Sequence, residues 1–294
     1  GIYAGPAVRK LSRELGIDLR AISGSGDKGR IAKEDLHEYI KARMNGAGGG
    51  ALPPEPTVDF AAFGEIEIIP MDKIHKLTAV AMQTSVLNAP HVTQFDEADV
   101  TDLEHFRKMQ KELAASKGLK LTPVPFLLKA LASALSEFPQ FNASVKGDNI
   151  VRKHYCHIGL AVDTPMGLVV PVIRDVNHKN IWQLAEEVMH ISDNARNRKL
   201  KPQDMQGGCI TLSSLGAGGG TQFTPIINLP EVAILGVSRV IKKPVYQDDQ
   251  ALPVPRLMMP LALSYDHRAV NGVDGAKFTR YISALLTDIR KIAM

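Results

Sequence analysis

The stretch Ser264–Gly272, SYDHRAVNG, puts an imidazole where an apolar run stops and a helical pattern is about to begin. From Leu257 to Leu263 the chain is almost wholly apolar and β-compatible, the pattern of a strand covered on both faces. After Gly272 the positions Val273, Ala276, Phe278, Ile282, Leu285, Leu286 and Ile289 recur at a helical period and predict a closing helix. His267 therefore falls at a strand end, where rigid scaffolds commonly present reactive groups. An imidazole with an ordinary pKa of about 6.5 takes and returns a proton near neutral pH, so general acid–base chemistry is what this residue type offers. A histidine satisfied by local hydrogen bonds in a turn fits the same residues, and taken alone they leave both readings open.

The elements that must position His267 are mixed in kind. Met71–Leu87, Leu103–Ala115, Pro123–Phe138 and Ile181–Asn197 carry helical apolar spacing, with Thr122 read as a cap and Pro123 as the first helical residue. Strands are predicted near His91–Val100, His157–Val162, Leu168–Ile173, Cys209–Ser213, Val232–Val240 and Leu257–Leu263. Irregular alternation, rather than repeated βαβ units, predicts an α/β fold with helices packed on a mixed sheet.

A chain of 294 residues, 45% hydrophobic, has material for one large core and a second, smaller unit. Between Asn45 and Phe63 the sequence NGAGGGALPPEPTVDFAAF joins glycine flexibility to proline stiffness, so 45–63 reads as a linker between a domain at 4–41 and one at 64–294. Residues 1–44 hold nine Lys or Arg against six Asp or Glu, so the small unit is basic and suits an acidic protein surface. That excess is too small, and too poor in interleaved aromatics, for a nucleic-acid partner. No apolar run predicts a membrane span, and the N-terminus lacks the centre of a signal peptide, which points to the cytoplasm. The chain opens without methionine, as a piece of a longer protein would. Cys156 and Cys209, without a CxxC pair, read as buried free thiols and not as a disulfide or metal site. Gly24–Gly29, GSGDKG, matches GxGxxG letter by letter, but no strand precedes it, so it reads as a loop. Gly216–Thr221, GAGGGT, likewise lacks the ending of a phosphate loop.

The stretch DHRAVNG with the closing LLTDIRKIAM resembles the active-site signature of the dihydrolipoamide acyltransferases, core subunits of 2-oxo acid dehydrogenase complexes. GGCITLSSLGAGGGTQFTPIINLP, Gly207–Pro230, is similar to the family segment carrying a hydroxyl that faces the catalytic histidine, and Ser213 falls on that position. HIGLAVDTPMGLVVPVIRDV, His157–Val176, resembles the family's central strand pair. The likeness implies the chloramphenicol-acetyltransferase-like fold, assembled as a homotrimer with each active site at a subunit interface, and trimers built into a larger core, a 24-mer in the cubic form. It implies coenzyme A as a substrate, no metal, and a lipoyl group presented by a lipoyl domain outside this chain. His267 would be the general base on the thiol, and Ser213 the hydrogen-bond donor to the tetrahedral oxyanion, with Ser214 its rival. GGCITLSSLG, LPEVAILGVS and DHRAVNG are closest to the branch of bacterial pyruvate dehydrogenase complexes, which implies acetyl over succinyl or branched-chain acyl groups. Two other classes stay in view: a non-catalytic core or adaptor protein, and an antibiotic acetyltransferase, which has no use for a partner-binding unit.

Further residues follow from the same likeness. Asn271 lies four positions beyond His267, where many members carry aspartate; an amide supplies no charge, leaving hydrogen bonding, loop shape or a plain turn before Gly272. Asp163 and Arg268 match polar positions expected to form supporting pairs, and Phe223 matches an aromatic residue lining the substrate channel. All three types also suit ordinary surface or core positions. Arg196, Arg198 and Lys199 are weak candidates for the coenzyme's phosphates, since a helix C-terminus attracts cations anyway. Ala4–Ile40 resembles the all-α peripheral subunit-binding domain of these enzymes. Val8, Leu11 and Leu15 form one apolar face, Gly16 a helix stop, and Lys33–Ile40 a second helix. Arg9, Lys10, Arg13, Lys28 and Arg30 match basic positions with which the family holds the 2-oxo acid dehydrogenase or dihydrolipoyl dehydrogenase component.

Overall fold

A computed structural model describes residues 3–46, 56–216, 218–246 and 252–293. The chain divides into two compact units, Gly1–Ile69 and Pro70–Met294. In chain order the elements are α1 (Pro6–Glu14), α2 (Lys33–Gly46), α3 (Lys73–Asn88), β1 (His91–Asp99), α4 (Thr101–Met109), α5 (Lys111–Ser116), α6 (Val124–Glu137), β2 (Ala143–Lys146) and β3 (Asn149–Arg152). They continue with β4 (Ile158–Leu160), β5 (Val162–Thr164), β6 (Gly167–Val169), β7 (Val172–Ile173), α7 (Ile181–Arg196), β8 (Ile210–Ser214), β9 (Ala233–Val237), β10 (Ile241–Val245), β11 (Val254–Asp266), α8 (Gly272–Thr287) and α9 (Arg290–Ala293).

The first unit is two helices around a core of Val8, Leu19, Ile31 and Leu36. Gly16 stops α1 at φ 64°, a value glycine reaches without a Cβ penalty. Leu15, expected on the apolar face, is exposed, because α1 ends at Glu14 and the chain turns there. The GSGDKG stretch is a loop: Gly24 approaches the Gly29 carbonyl so closely that a Cβ would sit 2.4 Å from its oxygen. Asp35 accepts from the backbone N–H groups of Ser25 and Ala32, pinning that loop to α2.

In the second unit the sheet order is β1-β11-β9-β8-β4-β7, with β10 also on β11. β4, β8 and β9 run parallel and the other pairings are antiparallel, giving the expected mixed sheet. The period of two sends Leu212, Leu235, Leu261, Leu263 and Tyr265 to one face, where they join Leu127, Leu128, Leu131, Phe278 and Ile282 of the helices in one buried cluster. Strong start signals place those helices. Asp72 accepts from His75 N–H at α3, and Asn180 with Gln183 forms a capping box at α7. Thr122 does not cap α6; its Oγ1 has no hydrogen-bond partner. The helix predicted over Leu103–Ala115 is two, α4 and α5, which meet at Gln110. The β2–β3 hairpin, the split of the two central strands into β4–β7, and β10 are further departures from the expected elements.

The opposite face of the sheet is more polar. Thr93 and Ser264, register partners, share a hydrogen bond of 2.8 Å. Glu231, almost wholly buried, accepts from Thr211 Oγ1 at 2.6 Å and lies 3.4 Å from the Asn228 amide nitrogen. Burial pushes its carboxyl from the usual 4.5 up to about 7. The folded chain thus keeps a proton that the unfolded chain gives up, so stability falls as pH rises from about 4.5 through about 7. Glu231→Gln keeps an acceptor for Thr211 and removes the titration. In urea denaturation it should match the wild type near pH 4.5 and exceed it by on the order of 3 kcal/mol above pH 8.

Candidate active site

β11 delivers His267 to solvent. The strand is buried from Met259 to Asp266, His267 is exposed at its end, and its backbone N–H donates to the Pro90 carbonyl at 3.0 Å. The turn is built on Asp266, which is 1% exposed. Its carboxylate accepts from the Arg268 backbone N–H at 3.0 Å and from Arg268 Nε and Nη2 at 3.0 and 2.6 Å. Its carbonyl accepts from the N–H groups of Ala269 and Val270. This hydrogen-bonded carboxylate raises the guanidinium pKa of Arg268 further. Arg268 thus pairs with Asp266, which escaped sequence reasoning because its signal is burial. Asn271 occupies the N-cap position of α8, yet its side chain makes no capping bond, which leaves an exposed amide four residues beyond the imidazole.

Ser213 lies at the far end of the same sheet. It pairs with Gly236 of β9, and Gly236 pairs with Ala262 of β11. His267 is five residues beyond Ala262, which is about 17 Å along the strand and two strands across, so the two side chains of one chain are separated by roughly 20 Å. They cannot touch the same sulfur. Ser213 shares its face with Gly236, against which the Phe223 ring packs: a Cβ on Gly236 would lie 2.6 Å from Phe223 Cζ. Phe223, half-buried, is therefore beside Ser213. Ser214 points to the other face and lines a cavity of about 1050 Å³ between the sheet edge and α4, α6 and α7. Asp163 borders this cavity, at the Ser213 end and remote from His267. Four cations, Lys108, Lys120, Arg196 and Arg239, border it as well. Arg107 does too, but it is committed to Glu104 through Nε and Nη2 at 2.9 and 2.8 Å. Of the basic run at the end of α7, only Arg196 reaches the cavity; Lys108, Lys120 and Arg239, far apart in sequence, escaped notice. Thr122 lines the cavity too.

In the first unit Arg9, Lys10, Arg13, Lys28 and Arg30 are all exposed. Arg9 Nε donates to the Ala4 carbonyl, Lys10 lies 3.8 Å from Glu14, and the Arg30 guanidinium stands 5.7 Å from the centre of the Tyr3 ring. No group of three or more His, Cys, Asp or Glu fit to hold a metal occurs among the described residues, and no helix there is long and apolar enough to cross a membrane.

The 2-oxoacid dehydrogenases acyltransferase (catalytic domain) family matches residues 63–294, and the e3 binding domain matches residues 2–37. The chain belongs to the 2-oxoacid dehydrogenase acyltransferase family. It is 52% identical over 303 residues to the dihydrolipoyllysine-residue acetyltransferase component of the pyruvate dehydrogenase complex of Pseudomonas aeruginosa, covering all of this chain and 55% of that one. It is 52% identical over 304 residues to the Azotobacter vinelandii component, covering all of this chain and 47% of that one. The chain thus spans about half the length of these curated relatives. Two solved structures, each 53% identical with TM-score 0.80, match 83% of this chain and 100% of their own. One is the cubic core of the pyruvate dehydrogenase multienzyme complex. The other comes from an investigation of the role of a serine, a histidine and an asparagine in the catalytic mechanism of Azotobacter vinelandii dihydrolipoamide acetyltransferase.

The turn after β11 rests on the Asp266–Arg268 pair, and removing the cation leaves a buried carboxylate short of donors. Arg268→Ala should cost about 2–3 kcal/mol, less than a fully buried pair because Arg268 is partly exposed. Denaturant unfolding measures the loss.

Proposed function

We propose that this chain is the subunit-binding and catalytic portion of a bacterial acyltransferase that moves acetyl between coenzyme A and dihydrolipoyl groups, in the core of a pyruvate dehydrogenase complex. The observation that carries this reading is the span of the sheet, with a solvent-facing imidazole at one end and, at the other, the Ser213 hydroxyl on one face and a basic cavity on the opposite face. Such half-sites become useful when copies associate head to tail, His267 of one meeting Ser213 of the next, and a homotrimer closes that arrangement. Exposed apolar residues before and along α3, among them Met71, Leu77, Val80 and Leu87, offer surface for such contacts. Trimers would then build the larger core, a cubic 24-mer by analogy with the relative described as a cubic core.

Acyl transfer between thiols needs a base, because a thiol with a pKa of about 8.5 is mostly protonated at neutral pH. His267 takes the proton from the coenzyme A sulfur, and the thiolate forms a bond to the carbonyl carbon of the acetyl-dihydrolipoyl thioester. The carbonyl π electrons move to oxygen, and Ser213 of the facing copy donates a hydrogen bond to that oxyanion. Collapse restores the carbonyl, breaks the bond to the dihydrolipoyl sulfur, and that sulfur takes the proton from the imidazolium. Ser213 is preferred to Ser214 because its hydroxyl shares the face of Phe223, the candidate channel wall. Asn271 is the candidate to orient the ring or the incoming thiol by hydrogen bonding. The serine, histidine and asparagine studied in the Azotobacter enzyme support counting an amide there as functional.

The basic cavity suits the coenzyme's phosphates, with Lys108, Lys120, Arg196 and Arg239 as candidates and Asp163 at its border. The exposed cations of the first unit, Arg9, Lys10, Arg13, Lys28 and Arg30, suit acidic surfaces on the dihydrolipoyl dehydrogenase and 2-oxo acid dehydrogenase components, while lipoyl domains carry the acyl group in. The names of the relatives favour acetyl over succinyl or branched-chain groups.

Assays of transfer from acetyl-CoA to dihydrolipoamide test the composite site. His267→Ala should abolish turnover and Ser213→Ala should lower it by roughly a hundredfold or more. Refolding the two inactive variants together should restore activity at about a quarter of the interfaces, since each chain brings the half-site the other lacks. No recovery in mixed assemblies would exclude sites shared between copies. Lys120→Ala should raise the KM for acetyl-CoA by about tenfold, the worth of one charge-assisted hydrogen bond, with the KM for dihydrolipoamide unchanged.

A further inference from the structure

One dipeptide touches both ends of the chain's chemistry. Pro90 accepts the backbone N–H of His267, while His91, the first residue of β1 and the register partner of Asp266, reaches the segment that carries Phe223. His91 Nδ1 lies 2.6 Å from the Ala89 carbonyl oxygen, and Nε2 lies 3.0 Å from the backbone nitrogen of Ile227. A carbonyl only accepts and an amide N–H only donates, so the ring carries its hydrogen on Nδ1 and presents a lone pair at Nε2. The carbonyl of the same Ile227 accepts from Ser85 Oγ at 2.6 Å. Ile227 is fully buried with Ala89 and Ile234, so its peptide groups must be satisfied inside the protein, and two side chains of the 85–91 segment do it.

Phe223 lies four residues before Ile227, and its ring stands over Gly236, the register partner of Ser213. We propose that His91 is a positioning residue of the acyltransferase, holding the 223–228 segment, and with it the Phe223 wall beside Ser213, at a fixed span from His267. The inference rests on the acyl-transfer reading above. It adds that the Phe223 wall is tied, through one imidazole, to the start of β1, whose Pro90 carbonyl also holds the His267 backbone N–H. His91 touches no reacting atom; it acts through the backbone of Ile227. The Phe223 wall stands on the face of the sheet opposite the coenzyme cavity bordered by α4, α6 and α7, and so serves the dihydrolipoyl arm; loss of His91 should loosen that side of the site and leave the cavity as it was.

The test is steady-state transfer from acetyl-CoA to dihydrolipoamide by the assembled protein, with amide hydrogen exchange on the same samples. His91→Ala should raise the KM for dihydrolipoamide by roughly tenfold or more, as misplacement of a positioning wall does, and leave the KM for acetyl-CoA within about twofold. Exchange protection of the Ile227 amide should fall in the same variant. His91→Gln, whose amide offers both an acceptor and a donor, should recover most of both properties. Should His91→Ala not fold, His91→Asn, one bond shorter than glutamine, should reproduce the KM pattern. An inactive wild type overturns the acyl-transfer reading itself. An active wild type with an unchanged dihydrolipoamide KM in the folded variant, or with both KM values rising together, overturns the positioning role alone.

Discussion

The hydrogen-bonded register of β11 is the constraint on which the remaining arrangement depends. Its thirteen residues pair with β1 on one side and with β9 and β10 on the other, so the strand that ends at Asp266 has no free edge along most of its length. That pairing fixes where His267 leaves the sheet. Through β9 and β8 it also fixes where Ser213 leaves it, at the opposite end. Shifting this register by one residue would turn Leu261, Leu263 and Tyr265 out of the helical core, so the separation of the two half-sites is enforced by the energy of the core itself. Under the proposed acyl transfer, a chain built this way completes its site by association.

Two buried carboxylates meet the same desolvation problem differently. Asp266 accepts from a bidentate guanidinium and a backbone N–H, and it fixes the turn that carries His267. Glu231 has a hydroxyl and an amide as neighbours, and burial drives it toward the protonated form. The first is a rigid support for the candidate base, and the second makes the polar face of the sheet sensitive to pH. On that face contacts are polar and few, in contrast to the leucine-rich helical side. This is where Phe223 and the 223–228 segment are held, by single hydrogen bonds and one close approach over Gly236.

Much of the fold was legible because its elements carry strong local signals. The apolar run before His267, the helical period after Gly272, the capping residues of α7 and the glycine stop of α1 each follow from short-range sterics and patterning. The β2–β3 hairpin was not legible, since β3 is exposed throughout and shows no alternation between buried and open positions. Thr122 followed by Pro123 resembles a cap by type, but the hydroxyl is buried without a hydrogen-bond partner. Helix α4 and helix α5 share one apolar pattern, and the break at Gln110 leaves no glycine or proline to mark it.

The sequence by itself determined the residue types available for chemistry, the mixed α/β character of the larger unit, the small helical unit before it, and, through the DHRAVNG and LSSLG motifs, the family. Only the tertiary structure decided which of those residues are neighbours. It set Ser213 and His267 at opposite ends of one sheet, paired Arg268 with Asp266, gathered Lys108, Lys120, Arg196 and Arg239 around one cavity, and gave His91 its two partners. The physical reason is that hydrogen-bonded register and burial are long-range properties: they depend on which strands lie side by side, and spacing along the chain carries no record of that.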